Sequence, residues 1–322
     1  MASTVPRGPV WAAAHAAKSP LPSRQPLSAP CPGFRRSRPT PHLVRASSRT
    51  AEAPARPVPG YELVRPDRPL AASGPISADQ IESFYQDGYV VVRGLVSGEL
   101  LDRAREAAAA LESNPLGSSR YAGSGWYLWE KAPVFRELAV SSGMAAAAAQ
   151  LTPSPVGDTG GREMCVLRDG YFRLAGANPG CNFHVDDGGF WPSPRDEPHG
   201  PGVNVWLALD PVGEDRGGLA VARGSHTHLY LDCREAIAGG YTDTCRMDEL
   251  APEKAARLEA VKDCPQMAPG DAIVLTRFCF HRGDPFVVGS EGAAGPGISR
   301  YSVRYMPGEA VVEGLQRKIR CS

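Results

Sequence analysis

The chain has 322 residues, of which 35 are basic, 35 are acidic and 42% are hydrophobic. This balance gives no general attraction to nucleic acid or anionic membranes, and no apolar run is long enough to span a bilayer. The eight cysteines form no Cys-x-x-Cys pair, which favours free thiols in a reducing compartment over a disulfide framework.

The charge is unevenly distributed, because the first acidic residue is Glu52 and residues 1–51 carry only basic charges. This Ala-, Ser- and Pro-rich segment is typical of a transit peptide. Its Met-Ala-Ser-Thr start predicts a plastid signal over residues 1–46, cleaved near Ala46, and hence a location in the chloroplast stroma. Cleavage there removes seven of the 35 basic residues and leaves 28 against 35 acidic ones. A mitochondrial address, a weaker peroxisomal signal and a permanent disordered tail are the alternatives.

After a Pro-rich linker over residues 47–75, the remaining residues 76–322 have a length that suits one domain with one sizeable core. Ser77 is a typical N-cap for a helix that continues through about Asp87. The further expected elements are, in chain order, the strand YVVVRGL, a helix from about Ser97 to Glu112, an alanine-rich helix from Met144 to Leu151, strands from about Arg162 onward, and a helical insert over residues 242–263. The predicted domain therefore has a helical part over residues 76–150 and a strand-rich part over about residues 162–310.

The segment CNFHVDDGGFWP contains His184 and Asp186 two residues apart. On a strand these side chains point to the same face and can bind one metal ion from one side. Two histidines and one carboxylate are the ligands of non-haem Fe(II) oxygenases, so a second histidine is needed. His281 has the best context, because a Pro-Gly-Asp turn opens the strand-like run AIVLTRFCFH that it ends.

Three other histidines, namely His199, His226 and His228, have a less favourable sequence context than His281 for the second ligand. His226 and His228 also have i, i+2 spacing, but they follow a Gly-rich turn without a carboxylate at matching spacing. We interpret them as loop residues or as residues that support the site. His199 stays open as a candidate.

The segment ISRYSVRYMP, read as a strand, places Arg300, Ser302 and Arg304 on one face. Guanidinium groups inside a barrel are costly without an anion. Because guanidinium meets carboxylate through two parallel hydrogen bonds, to which a hydroxyl can add a third, the pattern predicts a site for a dicarboxylic acid. The alternative is an edge strand whose charged residues face solvent.

In this order, His184-x-Asp186, His281 and Arg300-x-Ser302 resemble the iron and 2-oxoglutarate signature of the double-stranded β-helix dioxygenases. More specifically, the chain resembles the phytanoyl-CoA dioxygenase (PhyH) family from about Ile76 to about Pro307. Four further segments match that family's pattern, namely ISADQIESFYQDGYVVVRGLVSGELLDRAREAAAALE, VNVWLALDPV, EDRGGLAVARGSH and APGDAIVLTRFCFH.

The resemblance implies a mostly β fold with flanking helices, a jelly-roll or cupin-like barrel with N-terminal helices packed on it. It also implies that His184, Asp186 and His281 bind Fe(II). Arg300 and Ser302 would bind 2-oxoglutarate, with Trp206 beside it, and Arg304 stays open as the alternative anchor. The expected reaction consumes O2 and 2-oxoglutarate and releases succinate and CO2, with ascorbate as a candidate reductant.

Because relatives that halogenate lack the metal carboxylate, Asp186 favours hydroxylation of a small-molecule or lipid-like substrate. The alternatives are a zinc hydrolase-like site and a non-catalytic barrel that binds a small anionic metabolite. Neither the primary substrate, including whether it is an acyl-CoA, nor the oligomeric state follows from the sequence. Cys181, three residues before His184, and Cys279, two before His281, are close enough in sequence to reach the site, but we interpret both as small core residues.

Overall fold

The structure, a computed structural model, describes residues 74–111, 121–152, 163–174, 178–186, 202–236, 246–287, 297–308 and 319–321. Its helices are α1 Ala78–Asp87, α2 Gly98–Ala109, α3 Leu128–Lys131, α4 Pro133–Ser141, α5 Gly143–Leu151, α6 Leu231–Ala236, α7 Met247–Leu250 and α8 Pro252–Glu259. Its strands are β1 Tyr89–Val92, β2 Gly123–Trp126, β3 Met164–Leu174, β4 Val203–Ala208, β5 Leu219–Ala222, β6 Lys262–Asp263, β7 Ala272–Thr276, β8 His281–Gly283, β9 Ile298–Pro307 and β10 Ile319–Arg320. The predicted transit peptide and nearly all of the linker lie outside the described residues, as does His199.

The described strands form two antiparallel sheets. The larger has the order β1-β7-β4-β9-β3-β10, with β2 also paired to β3, and the smaller has the order β6-β5-β8. Strand β9 lies between β4 and β3, and all ten of its residues are buried. The prediction of alternating faces is therefore confirmed, and the solvent-facing edge strand is excluded.

One hydrophobic cluster packs the outer face of the larger sheet against the N-terminal helices. Tyr301 and Tyr305 point to this side, where their hydroxyls donate hydrogen bonds to Asp169 and to the carbonyl of Ala139, at 2.6 and 2.8 Å. A second cluster combines Trp206 and Ile273 of the larger sheet with Val221 of the smaller sheet. Because alternate strand residues face opposite ways, Arg300, Ser302 and Arg304 point towards this second cluster.

Helix α1 begins as the sequence predicts. The Ser77 side chain accepts a hydrogen bond from the Gln80 backbone N–H, and the Gln80 side chain accepts one from the Ser77 backbone N–H. This reciprocal capping box satisfies two of the donors that a helix start leaves unpaired. At the other end Gly88 adopts a left-handed conformation, with φ 83°, and leads directly into β1.

The expected strand AIVLTRFCFH is divided in two. Strand β7 ends at Thr276, a turn closed by the Cys279 N–H and the Thr276 carbonyl follows, and His281 begins strand β8. The prediction that His281 ends a continuous strand was therefore wrong. The chain changes sheets here, because β7 belongs to the larger sheet and β8 to the smaller one, and this crossing brings His281 to the site.

Candidate metal and co-substrate site

His184, Asp186 and His281 come together between the sheets. His184 and His281 face each other in an isolated antiparallel bridge, with backbone N···O distances of 3.0 and 2.9 Å. One potential ligand atom from each of the three residues lies within 4.8 Å of the others. Within the described parts of the chain, no other group of three such residues meets this criterion.

The backbone fixes which nitrogen each histidine can offer. Nδ1 of His184 lies 3.0 Å from the carbonyl oxygen of Asn182, and Nδ1 of His281 lies 3.0 Å from that of Cys279. Because a carbonyl can only accept, each Nδ1 carries a proton in these contacts, which leaves Nε2 as the nitrogen that can bind a metal when it is unprotonated. Such a hydrogen bond is the usual support of a metal-binding imidazole, so both rings are prepared to bind through Nε2.

Asp186 is buried and held by charge. Its Oδ2 atom accepts hydrogen bonds from Nε and Nη2 of Arg304, at 3.2 and 2.8 Å, and from Nδ2 of Asn204, at 3.0 Å. Burial raises the pKa of Asp186, but the Arg304 guanidinium and the two histidines lower it more strongly, to about 2. The carboxylate is therefore ionised at neutral pH, as a metal ligand must be.

The two histidines differ in protonation. Burial lowers the pKa of His281 to about 4, so this ring is neutral at pH 7. Burial also lowers the pKa of His184, but a hydrogen bond to Cys181 and the negative charges of the Cys181 thiolate and Asp186 raise it more, to about 9. Cys181 therefore belongs to the surroundings of the site, and its interpretation as a core residue was wrong. The core interpretation of Cys279 is confirmed, because this side chain is fully buried.

Arg300 lies in the same interior but has a different environment from Arg304. It is only 8% exposed, and among the described residues its Nε and Nη1 atoms have no hydrogen-bond partner. Its guanidinium carbon lies 5.5 Å from the ring centroid of Phe172 and 5.6 Å from that of Trp206. A cavity beside Arg300 is also lined by Cys181. A buried cation with unsatisfied donors is costly, so this environment suits an anionic ligand.

Ser302 and Trp206 occupy neighbouring positions on the interior face. They are directly opposite each other in the β4–β9 ladder, and both are buried. Asn204, which sequence reasoning missed, is opposite Arg304 in the same ladder. Asn204 lies two residues before Trp206, and strand alternation places both on the same face, so its interior position could have been predicted from the sequence.

The rival histidines do not join the site. Nε2 of the buried His226 lies 3.1 Å from the carbonyl oxygen of Tyr85, and His228 begins a short 3-10 helix. Arg277, a residue that strict alternation would place beside His281, lies in the turn before β8 with its guanidinium 5.2 Å from the ring centroid of Phe278. The strand break explains this, since alternation does not continue through a turn.

The phytanoyl-CoA dioxygenase (PhyH) family model matches residues 84–286. The chain belongs to this family. Among curated proteins, none is similar enough in sequence to match.

Three solved structures illustrate the similarity of fold. The non-heme alpha ketoglutarate dependent carbocyclase SnoK from nogalamycin biosynthesis is 16% identical, with a TM-score of 0.56 over 77% of this chain and 89% of that chain. HygX from Streptomyces hygroscopicus, with nickel, 2-oxoglutarate and hygromycin B bound, is 16% identical, with a TM-score of 0.50 over 74% and 89%. EctD from S. alaskensis, with 2-oxoglutarate and 5-hydroxyectoine, is 18% identical, with a TM-score of 0.51 over 82% and 87%.

These similarities confirm the double-stranded β-helix fold, with its antiparallel sheets and flanking helices. The His-Asp-His group lies where the two sheets meet. Within the described ranges, no helix is both long and apolar enough to cross a bilayer.

Proposed function

We propose that this protein is an Fe(II)- and 2-oxoglutarate-dependent dioxygenase that hydroxylates a small-molecule or lipid-like substrate. The observation that carries the proposal is the pairing of a His-Asp-His group with the buried Arg300, whose Nε and Nη1 atoms have no hydrogen-bond partner in the described parts of the chain. The family and the fold support a dioxygenase, whereas the hydroxylation and the roles of individual residues are our inference.

The three side chains fit an iron centre. Two imidazoles, with His184 giving up its Nε2 proton to a bound metal, and one carboxylate would leave three coordination positions free in the facial arrangement. Both imidazoles have their Nδ1 atoms held by the backbone. Bound iron with 2-oxoglutarate supplies the activation of O2, with release of succinate and CO2. The residues of the chain supply orientation and exclude water, since Asp186 and His281 are 4% and 5% exposed.

Arg300 is our candidate for the anchor of 2-oxoglutarate, together with Ser302. Arg304 already donates two hydrogen bonds to Asp186, whereas neither Nε nor Nη1 of Arg300 has a hydrogen-bond partner among the residues that the structure describes. A guanidinium can bind the distal carboxylate of 2-oxoglutarate through two parallel hydrogen bonds. Trp206 would support this pair by packing against the guanidinium.

Hydroxylation is the reaction that this ligand set favours. Similar folds include a carbocyclase and an epimerase, so the fold does not select the outcome. Asp186 fills the position that halogenating relatives leave open for chloride, which argues against halogenation. A zinc hydrolase would use the same three ligands, but it would leave Arg300 buried without an anion.

The test is turnover of 2-oxoglutarate by the purified protein, measured as succinate release and O2 consumption with a panel of small metabolites. Fe(II) should support turnover and Zn(II) should not. Turnover with Zn(II), or hydrolysis without O2 consumption, would contradict the proposal. Incorporation of label from ¹⁸O2 into the product distinguishes hydroxylation from cyclisation or epimerisation.

We also propose that residues 1–46 direct the protein to the chloroplast stroma, on the basis of their basic, acid-free composition. Fluorescent fusions with and without residues 1–46 test this. Plastid import that persists without the segment would contradict it.

A further inference from the structure

A cleft on the helix side of the larger sheet lies apart from the His-Asp-His group. Its lining includes Arg105 and Ala109 of α2, Arg173 of β3, Leu209 and Asp210 after β4, and Ser299 of β9. The cleft offers about 170 Å³ to the centres of water-sized molecules, whereas a single water needs roughly 10–15 Å³ on that measure. It is therefore large enough for a small organic molecule.

The cleft and the proposed 2-oxoglutarate site lie on opposite faces of the same strand. Arg173 and Ser299 are directly opposite each other in the β3–β9 ladder. Because alternate strand residues face opposite ways, Ser299 points to the helix side and its neighbour Arg300 points into the interior. Residues opposite each other on antiparallel strands have Cβ atoms about 4.5–5.5 Å apart. The Arg173 guanidinium and the Ser299 hydroxyl can therefore reach one ligand, and that ligand occupies a different space from 2-oxoglutarate.

Arg173 supplies the positive charge that the cleft can offer to a ligand. Its Nε atom is buried and has no hydrogen-bond partner among the residues that the structure describes. Arg105, by contrast, forms an ion pair with Asp210, with 3.3 Å between Nη2 and Oδ1. The other oxygen of Asp210 accepts a hydrogen bond from the Ser299 N–H at 2.8 Å. Because Arg105 and Asp210 offset each other, Arg173 leaves these lining residues with one net positive charge.

Ser299 adds a neutral donor to the cleft. Its Oγ atom lies 3.2 Å from the hydroxyl oxygen of Tyr171, a fully buried side chain. Burial raises the pKa of Tyr171, so its hydroxyl keeps its proton at neutral pH and can donate it to Ser299. The Ser299 hydroxyl then has its own proton available for a ligand oxygen. A guanidinium and a hydroxyl donor thus face the same space.

We propose that this cleft binds a small organic monocarboxylate. Arg173 and Ser299 bind its carboxylate, and its apolar part packs against Leu209. A guanidinium binds a carboxylate through two parallel hydrogen bonds, and a single carboxylate matches the one net positive charge. A dicarboxylate such as 2-oxoglutarate fits less well, because its second charge would meet Asp210, which already neutralises Arg105. The ligand class of the cleft therefore differs from that of the interior site.

Benzoate is the probe, because it combines one carboxylate with a compact apolar ring, and benzamide is its uncharged analogue. Ligand-observed NMR with the full-length protein should show saturable binding of benzoate and at least about tenfold weaker binding of benzamide. Arg173→Met should weaken benzoate binding by about tenfold or more, because a charged hydrogen-bonding group is lost. Arg136→Met removes an exposed arginine of α4 and is the matched control, which should bind benzoate like the wild type.

Asp210→Asn tests the cleft in the opposite direction. This variant removes the negative charge that opposes the ligand but keeps an oxygen that can accept from the Ser299 N–H. Benzoate should therefore bind about two- to fivefold more tightly, as expected for one partly exposed charge. A variant that merely disturbed the fold would weaken binding instead, so a gain in affinity does not depend on how well Arg173→Met folds.

Arg300→Met separates the cleft from the interior of the barrel, and benzoate binding should persist in this variant. The proposal would be overturned by an absence of benzoate binding to the wild type, by equal binding of benzamide, or by equal effects of Arg173→Met and Arg136→Met. Loss of binding in Arg300→Met would place benzoate in the interior and would also overturn it. Weaker binding in Asp210→Asn contradicts the charge argument on which the cleft depends.

Discussion

Arg300 lies over the indole of Trp206, with its guanidinium carbon 5.6 Å from the ring centroid. The aromatic ring stabilises the cation and limits the directions in which its N–H groups can point. With the guanidinium over this ring, Nε and Nη1 of Arg300 have no hydrogen-bond partner among the described residues. Arg304, four residues later, donates a hydrogen bond to Asp186. Two arginines on one face of one strand therefore have different chemical environments.

The first prediction concerns the binding of 2-oxoglutarate. Arg300→Lys keeps the charge but loses the two parallel hydrogen bonds that a guanidinium makes with a carboxylate. We expect the dissociation constant for 2-oxoglutarate to rise by about tenfold or more, equivalent to at least about 1.4 kcal/mol, with metal affinity unchanged. Calorimetric titration of the metal-loaded protein measures both.

Arg173→Lys is the matched control for Arg300→Lys. Arg173 is on the neighbouring strand opposite Ser299, which faces away from the barrel interior. This variant should bind 2-oxoglutarate like the wild type. Equal weakening at Arg173 and Arg300, or weakening at Arg304 without any at Arg300, would show that the anchor is misassigned.

The second prediction separates the two candidate histidines. His281→Ala removes one of the three proposed ligands and should abolish stoichiometric Fe(II) binding under anaerobic conditions. His226→Ala removes a hydrogen bond to Tyr85 and should cost about 1–3 kcal/mol of folding stability without changing Fe(II) binding. Retention of full metal affinity in His281→Ala would refute the proposed site.

The sequence indicates which candidate site residues share a strand face in β9, but it does not predict the local structure around every candidate residue. The alternation in β9 depends only on strand geometry, so it could be read directly. His184 and Asp186 lie outside the named strands, with only an isolated bridge at His184, so the prediction that they lie on a regular strand was wrong. The break between Thr276 and His281 could not be read directly, because Ala272 to His281 forms an unbroken run of strand-forming residues. The turn depends on contacts outside this segment, because His281 pairs with the smaller sheet and forms a backbone bridge with His184.

Asn204 shows a second limit of the sequence. Its role depends on a contact across the fold, with Asp186, and the segment VNVWLALDPV in which it lies does not specify that contact. A single sequence gives the face on which a residue lies but not the partner that reaches it from another strand.

The third prediction concerns Gly88, the left-handed residue between α1 and β1. Its φ is 83°, and an added Cβ would lie 2.5 Å from Nδ1 of His226. Gly88→Ala should therefore combine backbone strain with a steric clash and cost about 3 kcal/mol in the free energy of unfolding. Gly94→Ala is the matched control, because Gly94 has a φ of 59° but nothing within 4 Å of its added Cβ.

Gly94→Ala should cost only the strain, about 1–2 kcal/mol. Urea unfolding of both variants measures the difference. Equal losses of unfolding free energy in Gly88→Ala and Gly94→Ala would mean that the His226 side chain moves away from the added methyl group at no cost in free energy.

The last prediction is a pH dependence of stability at Asp169. This carboxyl group accepts hydrogen bonds from Tyr301 and from the backbone N–H groups of Leu128 and Trp129, at 2.6 to 2.9 Å. Burial nevertheless raises its pKa to about 6. The unfolded chain, with a carboxyl pKa of about 4, therefore ionises first as the pH rises, and the contribution of Asp169 to stability falls between about pH 4 and pH 6.

Asp169→Asn isolates this contribution, because asparagine does not titrate. We expect the wild type to lose up to about 3 kcal/mol of stability relative to Asp169→Asn between about pH 4 and pH 7. Near pH 4 the variant should be less stable than the wild type. Its amide N–H groups would face the same O–H and N–H donors that bind the carboxyl oxygens in the wild type. Urea unfolding at the two pH values measures the difference, and a pH-independent difference would show that the pKa of Asp169 is not raised in the folded protein.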